Sequence, residues 1–471
     1  MLFSSLFAKT AEYEKLAHAL SAPGACALFG LPGSGRAMVY AALAKETGRF
    51  LCIVTPGEAE ATRFAGDLNA LGIPTAVFPA RDYVLRPIEG TAREYEYRRL
   101  SVLGDIVGGR LQAVCVPDEG LTQYTTPRAE FCNNTRTLHP GDTVPRTELT
   151  ALLYNAGYAR RAQVDGPGQF SIRGDIVDLY APDMKLPVRM EFWGDEIDTM
   201  HTFDLATQRR EDPIEKIYVS PAREVLFGSP AEAAELLRAF IKKFRDKKRT
   251  ALEACLATEL AQLDGGALPV NMDKYLAVRY PQPATLLDYF DDPLLVLEEP
   301  ASLREAERAT TYRRGEEISA LLQDGVLAAG LDNLYAENGY LWAQAANHRT
   351  ICAENFARSM PDIPLKDIVN APAHTLPAWG GEVTSLLEDL QPLCNGGAAV
   401  TVLAGTQRAA AGLAADLRTK GLLVTTDPDA APGAGLVQVL PGQLSAGCSV
   451  PFAKYALFTA RAFGISSSQK K

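Results

Sequence analysis

Histidine, tryptophan and long apolar runs are scarce in this sequence, and its cysteines follow no metal-binding spacing. Among 471 residues there are three tryptophans and five histidines, and no histidine has a second ligand at metal spacing. The eight cysteines are scattered and form no Cys-x-x-Cys pair, so neither a disulfide framework nor a zinc site is indicated. No uncharged apolar run reaches the roughly 18 residues of a transmembrane helix. We therefore expect a cytoplasmic protein with no metal site and no membrane partner.

Positive charge is also in the minority. Lys and Arg number 47 against 57 Asp and Glu, a formal net charge of −10, which opposes long-range attraction to nucleic acid. The one dense basic run, residues 242–249, is predicted to share a helix with Phe240, Ile241 and Phe244 and to lie largely on the opposite side. A solvated helix face is the expected role, and weak contact with DNA or a partner is the alternative.

The first 120 residues alternate between strand and helix periodicity, as a parallel α/β sheet requires. Predicted strands cover 25–29, 51–54, 76–78 and 112–116, and predicted helices cover 36–47, 58–71 and 91–104. The alternation of strand and helix patterns then stops, because glycine, proline and alternating apolar residues dominate as far as about residue 217. Strands are predicted there at 170–180 and 188–193. Helical spacing returns at 229–262, followed by a buried strand at 294–297, so a β-rich insert is predicted to split the α/β domain.

The region from residue 349 repeats an order of predicted elements that is found in the first region. Residues 51–72 and 400–421 both read as strand, helix and terminal glycine, and either convergence or duplication explains this. A small α/β domain is predicted in both cases. The predicted domains are 1–128 (first α/β part), 129–217 (β-rich insert), 218–348 (returning α/β part) and 349–471 (small α/β domain).

A glycine-rich loop stands where a phosphate-binding loop would, between the first strand and its helix. It reads Gly30, Leu31, Pro32, Gly33, Ser34, Gly35, Arg36 and Ala37. The glycines suit backbone N–H groups that wrap a phosphate, but such a loop needs Lys and then Ser or Thr where Arg36 and Ala37 stand. Arg36 is wide and planar, and Ala37 has no oxygen for Mg²⁺. The loop is therefore predicted to be degenerate and non-hydrolytic, and weak phosphate docking on its amides remains an alternative.

A second element tests this interpretation of the loop. A working ATPase of this type ends a core strand with an acidic pair that holds Mg²⁺, and the candidate here is Glu298 with Glu299, directly before Pro300. Glu298 is one methylene longer than the usual metal-binding Asp. The expectation is a decayed site with no catalytic residue, no metal and no cofactor in this chain.

The strand 188–193 has two chemically different faces. Alternation places Val188, Met190 and Phe192 on an apolar face and Arg189, Glu191 and Trp193 on the other. Exposed Arg and Trp are typical of interface anchors. The alternative is that Arg189 pairs locally with Glu191 while Trp193 covers a loop.

These residues, together with the insert, resemble the N-terminal region of the bacterial transcription-repair coupling factor family (Mfd), whose first three domains are similar to the excision-repair protein UvrB. The most specific stretches lie in the insert, at 156–158, 168–180, 186–198, 203–204 and 208–209. The resemblance implies a degenerate P-loop, helicase-like parallel sheet domain split by the β-rich insert and followed by a small α/β domain.

The resemblance also implies a partner and its site. In that family the β-rich domain binds UvrA through two arginines and an aromatic side chain, which correspond here to Arg173, Arg189 and Trp193. Gly174 next to Arg173 predicts a β-bulge that aims this arginine outward. The acidic residues Asp195, Glu196 and Asp198 follow the strand, and are expected to make a turn or to support Arg189 electrostatically rather than to catalyse.

Two departures from the resemblance bear on function. UvrB inserts a long tyrosine-rich β-hairpin that clamps DNA, whereas residues 78–90 here are too few to form one. The full-length family protein is an ATP- and Mg-dependent translocase on double-stranded DNA that displaces RNA polymerase, and no second nucleotide loop occurs in this sequence. The predicted function is a non-catalytic adaptor that recruits UvrA to stalled transcription complexes for nucleotide excision repair. The alternative is an active nucleotide-hydrolysing, helicase-like fragment that binds DNA.

Overall fold

The chain begins with alternating strands and helices. The computed structural model describes residues 9–86, 93–431 and 433–460. The first region contains α1 (Ala11–Ala19), β1 (Gly24–Phe29), α2 (Gly33–Thr47), β2 (Leu51–Thr55), α3 (Glu58–Ala70), β3 (Thr75–Val77), α4 (Glu94–Val107), β4 (Ala113–Pro117) and α5 (Asp118–Thr122). Strands β1, β2 and β4 are buried along their whole length, as expected for parallel strands covered by helices on both faces.

The middle of the chain is rich in short antiparallel strands. Its elements are α6 (Arg128–Asn133), β5 (Arg136–Leu138), α7 (Arg146–Asn155), β6 (Ala159–Arg160), β7 (Gln169–Arg173), β8 (Ile176–Tyr180), β9 (Val188–Trp193), β10 (Glu196–Phe203), β11 (Arg210–Pro213) and β12 (Ile217–Val219). Strands β6 to β11 form one six-stranded sheet in sequence order, while β5 and β12 pair with each other. The β-rich insert is therefore confirmed.

Helices resume after the insert and lead back to the first sheet. The returning elements are α8 (Pro230–Ile241), α9 (Asp246–Asp264), α10 (Leu276–Arg279), β13 (Leu294–Glu298), α11 (Pro300–Gln323), α12 (Tyr340–Asn347), β14 (Arg349–Glu354) and β15 (Leu365–Asn370). The first sheet has the order β15-β1-β14-β13-β2-β4-β3, and every pairing in it is parallel. Because β13 lies between strands from before and after the insert, the predicted split of the α/β domain is confirmed.

The last region has its own mixed sheet. Its elements are β16 (His374–Leu376), α13 (Val383–Asn395), β17 (Ala399–Leu403), α14 (Gln407–Thr419), β18 (Leu423–Thr425), β19 (Leu436–Leu440), β20 (Gly447–Val450) and β21 (Tyr455–Thr459). They form a sheet of order β16-β20-β21-β17-β19-β18. The predicted repeat of strand, helix and terminal glycine is present, because Gly72 and Gly421 both adopt positive φ after α3 and α14. This region was predicted to begin at residue 349, yet β14 and β15 flank β1, so that segment belongs to the first sheet.

The last region packs on the first. The hydroxyl and the backbone N–H of Ser445 both donate to the carboxylate of Asp67 on α3, at 2.6 Å each. Cys448 and Tyr455 share a buried apolar cluster with residues of α2 such as Met38. The two sheets are thus joined by side chains of α2 and α3.

Two local predictions need correction or restriction. The basic run does not lie on one helix, because α8 ends at Ile241 and α9 begins at Asp246, whose φ is 51°. The basic side chains of the run are all exposed, as a solvated surface requires. In the loop 78–90, residues 78–86 form no strand, and 87–90 lie outside the described residues, as does the predicted start of α4 at 91.

Candidate functional site

The degenerate nucleotide loop has the predicted strand–loop–helix geometry. Strand β1 leads into Gly30, whose φ is 90°, and α2 begins at Gly33 with Pro32 at its N-cap. A Cβ atom at Gly30 would lie 3.1 Å from the carbonyl oxygen of Ala371 and from Cα of Pro372. Glycine is therefore required at position 30 both by the backbone angle and by the close approach of residues 371–372.

Arg36 in the first turn of α2 turns its side chain inward. The residue is buried, and its Nε donates to the carbonyl oxygen of Leu31 at 2.9 Å. Its Nη1 lies 2.5 Å from Oε2 of Glu298, and its Nη2 lies 2.6 Å from Oε1 of Glu299. Nη2 also donates to Oδ1 of Asn355 at 2.9 Å. The guanidinium of the loop is thus held by both carboxylates of the acidic pair.

Glu298 is fully enclosed at the end of β13. Its other oxygen, Oε1, accepts a hydrogen bond of 2.5 Å from the hydroxyl of Tyr40, one turn after Arg36 on α2. Burial raises the pKa of Glu298 above its ordinary value, although Arg36 and Tyr40 oppose this shift. Burial by itself would lower the pKa of Arg36, but the negative charge of Glu298 raises it. The two predicted elements therefore meet, and the guanidinium of Arg36 is paired with the buried carboxylate of Glu298.

Glu299 and Ala37 complete the comparison with a nucleotide site. Glu299 has a φ of 49° and occupies the N-cap position of α11, where Pro300 takes the first helical position. Ala37 is buried and supplies no side-chain oxygen. In this site Arg36 therefore binds both glutamates, and position 37 offers no hydroxyl.

The insert sheet brings the predicted partner-binding residues to one face. Along β9, Val188, Met190 and Phe192 are buried, while Trp193 is 84% exposed. Asp178 on β8 lies opposite Arg189, and Ile176 lies opposite both Glu191 and Arg173. Directly opposed residues share a face of the sheet. Arg173, Asp178, Arg189 and Trp193 therefore point to the same side, and the predicted alternation of β9 is confirmed.

Asp178 holds both arginines. Arg189 donates from Nε to Oδ1 at 2.7 Å and from Nη2 to Oδ2 at 3.0 Å, and Arg173 donates from Nη2 to Oδ2 at 2.7 Å. The side chain of Asp178 is fully buried beneath them, whereas Arg189 is 12% and Arg173 is 46% exposed. Hydrogen bonding to Asp178 raises the pKa of Arg189.

Arg189 has further contacts that fix its plane. Its guanidinium carbon lies 4.7 Å from the ring centroid of Phe203 on β10, and its Nη1 donates to the carbonyl oxygen of Gln208 at 3.2 Å. Such stacking and bonding leave the group little freedom. Of the two arginines, Arg173 is the one more open to solvent.

The prediction of a β-bulge beside Arg173 was wrong. The register between β7 and β8 continues to Arg173 opposite Ile176, and the strands are joined by Gly174 and Asp175 in a two-residue turn, so no bulge aims Arg173 outward. Gly174 has a φ of 59°, which suits glycine in a tight turn.

The carboxylate that supports Arg189 is Asp178, and not Asp195, Glu196 or Asp198. Asp195 instead follows Gly194 (φ 65°) in the turn between β9 and β10, as the alternative turn role predicted. The local pairing of Arg189 with Glu191 is also absent, because Glu191 pairs with Arg210 on β11. The signal that could have singled out Asp178 is that it is the one acid in the otherwise apolar strand β8.

The described part of the chain offers neither a metal-binding cluster nor a helix suited to cross a membrane. Within 9–86, 93–431 and 433–460 no cluster of His, Cys, Asp or Glu is arranged to hold a metal ion. None of the helices in these ranges combines the length and the apolar character needed to cross a bilayer.

Comparison with known proteins starts from the insert. Residues 137–225 match the family described as "UvrB interaction domain". The transcription-repair-coupling factor of Bacillus subtilis (strain 168) is 26% identical over 444 residues, which are 92% of this chain and 38% of that protein. This chain is similar to the N-terminal region of the transcription-repair-coupling factor.

Other transcription-repair-coupling factors show the same extent of similarity. Those of Staphylococcus aureus (strain MRSA252) and Staphylococcus haemolyticus (strain JCSC1435) are 22% and 24% identical over 453 and 455 residues, 94% of this chain in each case. The chain spans 38% of the length of each of these transcription-repair-coupling factors.

Proposed function

We propose that this chain is a non-catalytic, UvrB-like adaptor that binds UvrA within transcription-coupled nucleotide excision repair. The observation that carries the proposal is the surface formed by Arg173, Asp178, Arg189 and Trp193 on one face of the insert sheet, here called the arginine–tryptophan face. Two findings support it. Residues 137–225 match a UvrB interaction domain, and 92% of the chain is similar to a transcription-repair-coupling factor, which supports a role in coupling transcription to repair.

The chemistry of the arginine–tryptophan face suits a protein partner. Two guanidinium groups share one carboxylate, so the cluster keeps a net positive charge. Among the described residues the guanidinium of Arg173 bonds to Asp178 alone, which leaves N–H groups for a partner's carboxylates or carbonyls. The exposed indole of Trp193 offers a large, rigid apolar area of the kind found at binding hot spots.

The test is a titration of the whole chain with purified UvrA. We expect Arg173→Ala and Trp193→Ala each to weaken binding by about 1–3 kcal/mol, roughly 5- to 150-fold. Arg308→Ala on the exposed side of α11 is the matched control and should leave the affinity unchanged. Wild-type affinity in both test variants would place the contact elsewhere and reject the proposal. Arg189→Ala is less diagnostic, because it also removes a buried partner of Asp178.

We further propose that the degenerate loop does not hydrolyse ATP. Arg36 is bonded to Glu298 and Glu299, so the cation and the carboxylates that could act on a nucleotide and its metal ion are already paired with each other. Purified chain should show no ATP turnover above background. Turnover that disappears in Arg36→Ala would support the alternative, an active hydrolase that tolerates this arginine.

The last part of the proposal concerns DNA translocation and the displacement of RNA polymerase. Because the chain spans 38% of their length, we propose that ATP- and Mg-dependent translocation on double-stranded DNA and displacement of RNA polymerase need the rest of such a protein. The chain alone should then leave a stalled RNA polymerase in place in a release assay. Release of RNA polymerase by this chain with ATP would contradict the proposal that displacement needs the rest of the longer protein.

A further inference from the structure

A cleft lies between the insert and the returning helical region. It has a volume of about 690 Å³ and is lined on the insert side by α7 and β6 and on the other side by residues 225–230 and 266–272. Apolar side chains on both walls remain exposed to solvent, namely Tyr154 from α7 and Leu268 and Val270 from the opposite loop. A cleft of this size with exposed apolar walls has the character of a ligand site.

Two arginines and no acidic residue line this cleft. Arg160 at the end of β6 is exposed, and Arg223 follows the insert. Neither forms an ion pair with any of the described residues. Because the chain as a whole carries a net charge of −10, this lining is a local exception in charge.

Arg223 is the unusual member of the lining. Its Nη1 is buried and has no hydrogen-bond partner, and burial lowers the pKa of its guanidinium. The aliphatic part of the side chain packs on Gly157, where a Cβ atom would lie 2.7 Å from Cγ of Arg223. A buried N–H of a charged group costs free energy unless an acceptor reaches it.

The acids that attract Arg223 electrostatically already accept hydrogen bonds from other groups. Glu96, which attracts Arg223 electrostatically, accepts hydrogen bonds from Arg93 at 2.9 Å and from the backbone N–H of Glu224 at 3.1 Å. Asp273, the other such acid, accepts two hydrogen bonds from Arg81, at 2.7 and 2.9 Å. The missing acceptor for Arg223 is therefore one that a ligand would supply.

We propose that this cleft binds an acidic side chain of a partner polypeptide, flanked by apolar residues that contact the walls. The carboxylate satisfies Arg223 and the exposed Arg160, and the flanking residues cover Tyr154, Leu268 and Val270. The cleft is formed by α7, β6 and the loop 266–272, whereas the arginine–tryptophan face is formed by β7, β8 and β9. The proposal is therefore independent of UvrA binding.

Two dyes with the same rings but different charge test the site in the intact chain. Anilinonaphthalenesulfonate carries an anion, and N-phenylnaphthylamine does not. The anion should bind saturably, and Arg223→Met should raise its dissociation constant at least about tenfold while leaving binding of the neutral dye unchanged. Arg308→Met, which removes an exposed arginine from α11, is the matched control. The proposal is overturned if the anion does not bind, if both dyes bind the wild-type chain equally, or if Arg223→Met keeps full affinity.

A pair of blocked peptides tests the nature of the occupant. Acetyl-Leu-Phe-Glu-Leu-Phe-amide should displace the anionic dye, and its counterpart with Gln in place of Glu should do so at least about tenfold less well. Equal displacement by the two peptides, or none by either, rejects a polypeptide occupant. This comparison uses the wild-type chain only and so does not depend on whether Arg223→Met folds.

Discussion

The carboxylate of Asp178 accepts two hydrogen bonds from the guanidinium of Arg189, at 2.7 and 3.0 Å, across neighbouring strands of the insert sheet. The same carboxylate accepts a third from Arg173 at 2.7 Å. A bidentate pair fixes both the position and the plane of an arginine. Asp178 is therefore the residue that aligns the arginine–tryptophan face.

Asp178→Asn should lower the free energy of unfolding by about 2 kcal/mol, because it leaves a largely buried guanidinium without its counter-charge. Urea denaturation of the whole chain measures this loss. Glu191→Gln is the control on the same face, and it should cost less than about 1 kcal/mol since Arg210, its partner, is exposed. Equal losses of unfolding free energy in the two variants would show that Asp178 stabilises the fold no more than Glu191 does.

Trp193→Ala should leave the melting temperature unchanged, because the indole is 84% exposed and ends its strand. The same change should weaken UvrA binding by about 1–3 kcal/mol, as truncation of a hot-spot aromatic does. Tyr312→Ala on α11 removes an aromatic side chain that is 73% exposed and serves as the control for exposed area. A drop in the melting temperature with intact affinity would mean that Trp193 is structural.

Arg36→Met should destabilise the chain by about 3–5 kcal/mol, because it leaves the buried carboxylate of Glu298 without a cation. The double variant Arg36→Met/Glu298→Gln should recover part of this loss, since the orphaned charge is then removed as well. Arg98→Met is the control, because Arg98 pairs with Glu58 on the surface. Unchanged stability in Arg36→Met would show that the ion pair between Arg36 and Glu298 does not stabilise the packing of α2 on β13.

Asp118 should make stability fall as the pH rises. Burial raises its pKa to about 7, and the nearby charge of Glu307 acts in the same direction. The folded state therefore holds a proton that the unfolded state releases at its ordinary, lower pKa. The stabilisation is full below the unfolded pKa and is lost as the pH rises through about 7, by up to about 4 kcal/mol.

Asp118→Asn checks this expectation. The variant should be more stable than the wild-type chain at pH 8, and the difference should shrink towards pH 4. Urea titrations of both proteins at several pH values measure the difference directly. A gap that does not change with pH would mean that Asp118 is ionised in the folded state throughout.

Local sequence patterns predicted much of the fold. The alternation over 188–193 predicted both the bounds of β9 and its two faces. The glycine-rich loop predicted the passage from β1 into α2, although the helix begins at Gly33 and not at Arg36. These features depend on side chains and backbone angles within one short segment, so one short segment is enough to reveal them.

The pairing of strands that are distant in sequence was not predicted by the local patterns. Strands β14 and β15 join β1 in the first sheet, and no periodicity within them shows which sheet they enter. The acids at 195–198 were expected either to form a turn or to support Arg189, and the register of β8 against β9 shows that Asp178 supports it. A strand pattern shows which side chains share a face, but the register with its neighbour decides which of them touch.

The sequence by itself determined the chemistry on offer: an arginine and an alanine where phosphate chemistry needs lysine and a hydroxyl, and an arginine and a tryptophan on one strand face. Only the tertiary structure decided what those groups do. It brings Arg36 onto Glu298, 262 positions away in sequence, and buries Asp178 beneath two arginines. The physical reason is that charge and shape belong to each residue, whereas burial and partners depend on strand order and register, which distant segments set together.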